Sequence, residues 1–119
     1  MLIILFIFVM EIYFENDKLL ELAEDESKAT KKLGKIQAQL FFKRLESLYF
    51  ASSPSELNSL PGNFHLLKHN RNGQWACNLV HPFRLIFEIQ KIITPIESKI
   101  KGAYSYKVTI IEIIDYHKK

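Results

Sequence analysis

The spacing of apolar residues changes once along this chain, close to Leu60-Pro61-Gly62, and this change constrains the fold more than any other feature. Before that point, apolar residues recur every three or four positions, which is typical of amphipathic helices. After it, short runs of strand-forming residues are separated by turn signals such as Asn-Gly and Pro. We therefore expect helices in the first half of the chain and most of a sheet in the second half.

The chain begins with an apolar stretch, residues 1–9, which has three competing interpretations. A secretory signal needs a basic start and a small-residue cleavage site, and the stretch has neither. A membrane span needs about 20 apolar residues, whereas acidic residues interrupt this run from Glu11 onwards. We therefore interpret residues 1–9 as an apolar extension or an upstream start, expect one domain over residues 10–119, and predict a cytoplasmic protein.

Two helices are predicted in the first half, after a short strand at Glu11–Phe14. Asn16 or Asp17 can cap the first helix, which is expected to end near Glu24. The second helix is predicted from about residue 27 to 50, because its apolar residues keep a helical spacing: Leu33, Ile36, Leu40, Phe41, Leu45, Leu48 and Tyr49.

The predicted long helix carries Gly34, which should destabilise it by about 1 kcal/mol relative to alanine unless close packing uses the missing side chain. It also carries several lysines. Lysines on a helix are usually a solvated face, and the alternative is a stripe that follows a nucleic-acid backbone. The candidate nucleic-acid contacts are Lys28, Lys31, Lys32, Lys35 and Lys43, together with Arg71 in the second half.

The second half of the chain predicts the sheet. Strands are predicted at residues 64–69, 74–80, 85–90 and 108–114. The first two flank Asn70-Arg71-Asn72-Gly73, whose Asn-Gly pair is favoured in hairpin turns, and residues 91–104 are predicted to form a loop. The last strand is apolar on both faces, which indicates a central position. The expected fold class is α+β, with an N-terminal strand and two helices packed on a mainly antiparallel sheet of about four to five strands.

Charge and cysteine content narrow the classes of function. Residues 1–60 carry 7 basic and 9 acidic side chains, whereas residues 61–119 carry 9 basic and 4 acidic ones. A positive half attracts polyanions, although solubilising charge explains the count equally well. Cys77 is the only cysteine, which excludes an internal disulfide and fits a reducing compartment. Its sequence neighbours offer nothing to stabilise a thiolate, so we expect a packed thiol.

A set of titratable and cationic residues is attached to the predicted strands. Metal-free cleavage of a phosphodiester requires a general acid and a general base, together with cations that stabilise charge on the phosphoryl oxygens. Lys68 and Arg84 can stabilise the charge on the phosphoryl oxygens. The imidazoles of His65 and His117 and the phenol of Tyr116 can transfer protons. The Asp115 carboxylate can orient an imidazole or hold a cation. The candidate catalytic residues are His65, Lys68, Arg84, Asp115, Tyr116 and His117.

Strand geometry limits how these residues can meet. Alternation places His65 and Lys68 on opposite faces of a strand, and likewise Tyr116 and His117. A shared site therefore requires a bulge, a twist or a strand end in at least one segment. His65 and His69 would lie about 13 Å apart on a strand, too far to bind one metal ion. We predict neither a metal nor a cofactor.

The sequence resembles the HigB branch of the RelE superfamily, the toxins of type II toxin–antitoxin systems. The resemblance covers residues 10–117, and residues 1–9, His81-Pro82 and the loop at residues 91–104 depart from the pattern. Four segments in order carry it: Leu60-Pro61-Gly62-Asn63-Phe64-His65-Leu66-Leu67-Lys68, Gly73-Gln74-Trp75, Phe83-Arg84-Leu85-Ile86-Phe87 and Asp115-Tyr116-His117.

The resemblance implies a small endoribonuclease, an mRNA interferase that cuts mRNA in the ribosomal A site and inhibits translation. By motif, His65 and Lys68 match a His-x-x-Lys pair, Arg84 matches a strand arginine, and residues 115–117 match a terminal acidic-aromatic-histidine group. The implied partners are the ribosome, mRNA and a helix-turn-helix antitoxin of the HigA type, with no membrane and no small-molecule cofactor.

Two alternatives remain open at this point. The chain can be a non-enzymatic inhibitor on the same fold that binds a protein target such as a topoisomerase, as the related ParE toxins do. It can also be a catalytically inactive copy that only binds an antitoxin or RNA. The histidines and the tyrosine favour the enzyme, since a protein-binding surface has no need of titratable groups there.

Overall fold

The computed structural model describes residues 10–93 and 105–116. The predictions for residues 1–9, for most of the loop at residues 91–104 and for His117 therefore lie outside the described residues. The elements in chain order are β1 (Glu11–Phe14), α1 (Asp17–Glu24), α2 (Glu26–Leu33), α3 (Lys35–Phe50), α4 (Pro54–Leu57), β2 (His65–Leu66), a 3₁₀ turn (His69–Arg71), β3 (Trp75–Asn78), β4 (Phe83–Ile92) and β5 (Ser105–Asp115).

The first predicted helix is confirmed, and the second is divided in two. Asn16 caps α1, because its side-chain oxygen accepts a hydrogen bond from the backbone N–H of Leu19 at 3.0 Å. The prediction of one uninterrupted long helix was wrong, since the chain breaks at Gly34 with φ +88°. A Cβ atom there would meet nothing within 4 Å. The glycine is therefore required by its backbone conformation and not by close packing.

The five strands form one mixed sheet in the order β1-β5-β4-β3-β2. β1 pairs with β5 in parallel, and the other neighbours are antiparallel. The predicted fold class and the central position of the last strand are therefore confirmed. Among the described residues, every helix is too short or too polar to span a bilayer.

The connection between β2 and β3 differs from the predicted hairpin. β2 has only two residues, and the chain leaves it for the 3₁₀ turn at His69–Arg71. Asn72 (φ −54°, ψ 130°) and Gly73 (φ +94°) then form a type II turn, closed by the N–H of Gln74 donating to the carbonyl of Arg71 at 3.0 Å. The predicted strand at residues 64–69 is therefore shorter than expected, because the chain enters the 3₁₀ turn at His69.

The two faces of the sheet differ in what covers them. The main core lies on the helical side, where Phe41 and Leu48 of α3 pack with Leu85 and Phe87 of β4. By strand alternation, Arg84 of β4 points to the opposite face. Arg84, the candidate catalytic residue of β4, therefore lies on the sheet face away from the main core.

Candidate active site

A cleft of about 590 Å³ separates the β2–β3 connection from the end of β5. One wall belongs to the segment that leaves β2, and the other belongs to the last described residues of the chain. The lining residues are Leu67, Lys68, His69, Asn70, Arg71, Ile114, Asp115 and Tyr116. The structure thus brings Lys68, Asp115 and Tyr116 together, and Lys68 lies beyond the end of β2, where strand alternation no longer sets its direction.

Arg84 reaches the same place from β4. Its guanidinium carbon lies 4.3 Å from the centre of the Tyr116 ring, which is a cation–π contact. The register of β4 and β5 explains this contact, because Arg84 is opposite Ile114 and shares its face of the sheet. The backbone N–H of Tyr116 also donates to the carbonyl of Pro82 at 3.1 Å. Tyr116 is therefore held by both its ring and its backbone.

Helix α3 fixes the segment that leads into Arg84. The side-chain carbonyl of Gln37 accepts the N–H of Val80 at 2.7 Å, and Nε of Arg44 donates to the carbonyl of Asn78 at 2.7 Å. Gln37 and Arg44 are seven residues apart and so lie on one side of the helix. These two hydrogen bonds therefore attach the segment before β4 to α3.

The opposite wall is held by Arg71. Its guanidinium donates to the Glu112 carboxylate at 2.6 Å and to the side-chain oxygen of Gln74 at 2.9 Å. Gln74 in turn donates to Glu88 at 3.4 Å. These contacts join the turn after β2 to strands β4 and β5.

His65 does not line the cleft. It lies on β2 at the edge of the sheet, with β3 and β4 between it and β5, so about 14 Å separates it from β5 at the usual strand spacing. Its Nδ1 lies 2.7 Å from the carbonyl oxygen of Asn63. Because a carbonyl only accepts, Nδ1 is the donor in this contact. His65 lies on the same sheet face as Arg84, because it is paired with Ala76 and Ala76 with Ile86, but it is apart from Tyr116.

The histidine that does line the cleft is His69, which was not among the predicted catalytic residues. His69 has φ +63°, a left-handed conformation that few residues other than glycine adopt. No local signal in the sequence marks His69 as a lining residue, because its place depends on the end of β2 at Leu66.

The candidate lysines are distributed over both sides of the break between α2 and α3. Lys28 forms an ion pair with Glu21 at 3.2 Å. Lys43 lines a second cleft, of about 610 Å³, whose other charged lining residues are acidic: Glu24, Glu26 and Glu46. Lys31, Lys32 and Lys35 are exposed around the break at Gly34. The five candidate lysines therefore differ in their surroundings, since Lys28 and Lys43 lie close to carboxylates.

Cys77 takes no part in the cleft. Its side chain is fully buried, and desolvation raises the pKa of the thiol to about 12, against a smaller opposing effect of Arg44. The thiol is therefore protonated at neutral pH, and the prediction of a packed thiol is confirmed. Within the described part of the chain, no three His, Cys, Asp or Glu side chains cluster as metal ligands would.

Comparison with known proteins identifies the fold. No protein-family model matches the sequence, and no curated protein matches it. Among solved structures, a YoeB/ParE toxin from Agrobacterium tumefaciens superposes with a TM-score of 0.53 at 10% sequence identity, covering 87% of this chain and 95% of that one. The chain therefore has the α+β fold of the RelE/ParE-type toxins.

Proposed function

We propose that this chain is the toxin of a type II toxin–antitoxin system and, more finely, a ribosome-dependent endoribonuclease of the HigB type. The observation that carries the proposal is the approach of Arg84 to within 4.3 Å of the Tyr116 ring, beside a cleft that Lys68 also lines. Two cations and a phenol around a cleft of about 590 Å³ match the needs of phosphodiester cleavage.

In the proposed reaction, the ribose 2′-oxygen of the mRNA attacks the adjacent phosphorus and loses its proton to a general base. A pentacoordinate phosphorane forms, and its negative charge is stabilised by Lys68 and Arg84. The bond to the 5′-oxygen then breaks, and a general acid protonates the leaving oxygen. The products are a 2′,3′-cyclic phosphate and a 5′-hydroxyl.

Tyr116 and His117 transfer the protons in this proposal and Asp115 orients them, while His65 is the further acid–base group that the motif supplies. Tyr116 is the one of them that contacts Arg84. His65, at the sheet edge, is too far from Tyr116 to form one hydrogen-bonded pair with it. A site with separated acid–base groups fits dependence on the ribosome, because the ribosome can supply the substrate orientation that the enzyme lacks.

The proposed partners are the ribosome, mRNA and a helix-turn-helix antitoxin of the HigA type. The exposed lysines around Gly34, namely Lys31, Lys32 and Lys35, support contact with a nucleic-acid backbone. Lys28 and Lys43 belong to the same proposed set, although both lie close to carboxylates. We further propose that the protein acts in the cytoplasm, where its mRNA substrate is translated.

A second candidate is a non-enzymatic inhibitor that binds a protein target, as the resemblance to ParE toxins implies. One observation favours it: His65, the residue of the His-x-x-Lys pair that best suits a base, lies outside the cleft. The name of the structural neighbour, a YoeB/ParE toxin, is compatible with either activity.

The test is to express the chain in growing cells and map mRNA 5′ ends on translated messages. Tyr116→Phe removes only the hydroxyl and should lower cleavage by about 10²–10⁴-fold if the phenol transfers a proton. Arg84→Gln should lower it by about 10²–10³-fold. Tyr49→Phe is the matched control, since Tyr49 is an exposed tyrosine at the end of α3 and not part of the cleft.

The outcomes separate the candidates. Ribosome-dependent cleavage that is retained in Tyr49→Phe and lost in Tyr116→Phe supports the endoribonuclease. Growth arrest with intact messages contradicts it and supports a protein target. If neither arrest nor cleavage occurs, the chain is an inactive copy. His117→Ala, measured in the same assay, tests the histidine that follows the described residues.

A further inference from the structure

One ion pair crosses the sheet face that carries the cleft. Arg71 donates to Glu112 at 2.6 Å although 41 positions separate them in the sequence. Arg71 belongs to the turn after the edge strand β2, and Glu112 lies on β5, beyond both β3 and β4. The contact therefore joins the turn to a strand that is not its neighbour in the sheet, and residues of the turn and of the end of β5 line one cleft.

The residues in the cross-strand row of Glu112 are apolar. Ala76 of β3 and Ile86 of β4 are paired in register with each other, and Ile86 is paired with Glu112. Both apolar residues are fully buried, yet neither belongs to the main core on the helical side. The aliphatic stem of an arginine can cover such a patch while its guanidinium binds polar partners.

Glu112 occupies an unfavourable place for a phosphate-binding protein. By strand alternation it shares a face with Ile114, which lines the cleft, and Arg84 is paired with Ile114 on that face. An unpaired carboxylate there would repel a phosphodiester and weaken the field of the cations. The ion pair with Arg71 cancels this charge.

We infer that Arg71 and Glu112 are positioning residues of the proposed ribonuclease: their ion pair holds the turn that carries Lys68 against β5 and sets the width of the cleft between Lys68 and Tyr116. This inference rests on the proposed function. It assigns Arg71 to the support of Lys68 and not to direct contact with RNA, which was the expectation from sequence. Two of its guanidinium nitrogens already donate within the protein.

The test compares Arg71→Glu, Glu112→Arg and the double charge swap with the wild-type chain. Cleavage by purified protein on programmed ribosomes gives kcat and KM, and amide hydrogen exchange at Asn72 and Gln74 reports on the turn. Each single variant should lower kcat at least about tenfold, as expected for misplaced charge-stabilising groups, and accelerate exchange about fivefold, the upper range for an ion pair in contact with solvent. The double swap should restore both quantities.

Glu46→Arg is the control for added positive charge, because Glu46 is exposed on α3, in the helical layer, and does not line the cleft. It should leave kcat and the exchange rates unchanged. Restored exchange without restored kcat in the double swap would overturn the inference, since it means that Arg71 itself contacts the RNA. Unchanged exchange in both single variants would also overturn it. A wild-type chain that cuts no message refutes the proposed function instead, while the exchange measurements still decide whether the ion pair holds the turn.

Discussion

The two walls of the cleft are held by different forces. The Arg84 wall consists of the lining residues 114–116 and of residues 79–84, which adjoin them outside the lining. It is anchored by hydrogen bonds to α3 and by the N–H of Tyr116 donating to Pro82. The Arg71 wall, residues 67–71, is anchored by an ion pair whose two side chains are 34% and 40% exposed. One wall thus depends on hydrogen bonds to backbone groups, one of them from the buried Gln37 side chain, and the other on an ion pair between partly exposed side chains.

This difference predicts how easily each wall of the cleft can move. Hydrogen bonds shielded from water are costly to break, because each partner loses its pairing without gaining solvent. An exposed ion pair typically contributes at most about 1 kcal/mol and weakens in salt. We therefore expect the Arg84 wall to behave as a fixed template for charge stabilisation. The Arg71 wall, which carries Lys68, should open more easily.

The largest effect is expected at Gly62, which supports the Arg84 wall. A Cβ atom there would lie 2.7 Å from Nε of Arg44, the atom that donates to the carbonyl of Asn78. Gly62→Ala would also place alanine at φ +115°. Backbone strain and the lost hydrogen bond together should lower the free energy of unfolding by about 3 kcal/mol or more, measured by urea denaturation.

Gly34→Ala is the matched control for this substitution. Gly34 also has a positive φ, +88°, but open space surrounds the position of its Cβ atom. Its cost should be the backbone strain alone, about 1–3 kcal/mol. If Gly62→Ala costs no more than Gly34→Ala, the contact between Arg44 and Asn78 does not anchor the wall.

The features of the molecule that have local signals in the sequence could be predicted, and those without them could not. β1, α1 and the central position of β5 followed from local signals, since caps and apolar periods are visible in the residues themselves. The break at Gly34 was missed because a glycine inside a periodic helix pattern is compatible with either a tolerated position or a positive φ.

The site could be predicted only in part, because some of its contacts join residues that are distant in the sequence. The meeting of Lys68, Arg84 and Tyr116 was expected from the motifs, whereas the Arg71–Glu112 contact joins residues 41 positions apart and has no local signature. That His69 lines the cleft, and the predicted His65 does not, depends on the residue at which β2 ends. Strand ends are set by tertiary contacts and are the least predictable part of a pattern.

The second prediction concerns Gln37, whose side-chain oxygen accepts the N–H of Val80 at 2.7 Å. Gln37 is buried, so Gln37→Met leaves that N–H without its acceptor and should destabilise the protein by about 1–3 kcal/mol. Gln39→Met, an exposed position two residues along α3, should change the free energy of unfolding by less than about 0.5 kcal/mol. Equal effects of the two substitutions in urea denaturation would mean that α3 supports the Arg84 wall by apolar packing only.

The smallest effect is a difference in salt sensitivity between the two walls, measured by amide hydrogen exchange in the unsubstituted chain. Raising the salt concentration from 0.1 to 1 M shortens the Debye length from about 10 to about 3 Å, which weakens the Arg71–Glu112 pair. Exchange at Asn72 and Gln74, whose amides donate within the turn at 3.0 Å, should accelerate by up to about fivefold. Exchange at Leu79 and Phe83, which donate at 3.0 and 2.8 Å in the Arg84 wall, should change less than about twofold. A common acceleration at all four amides would place both walls in one cooperative unit, and the charge contact would then have no separate control over the position of Lys68.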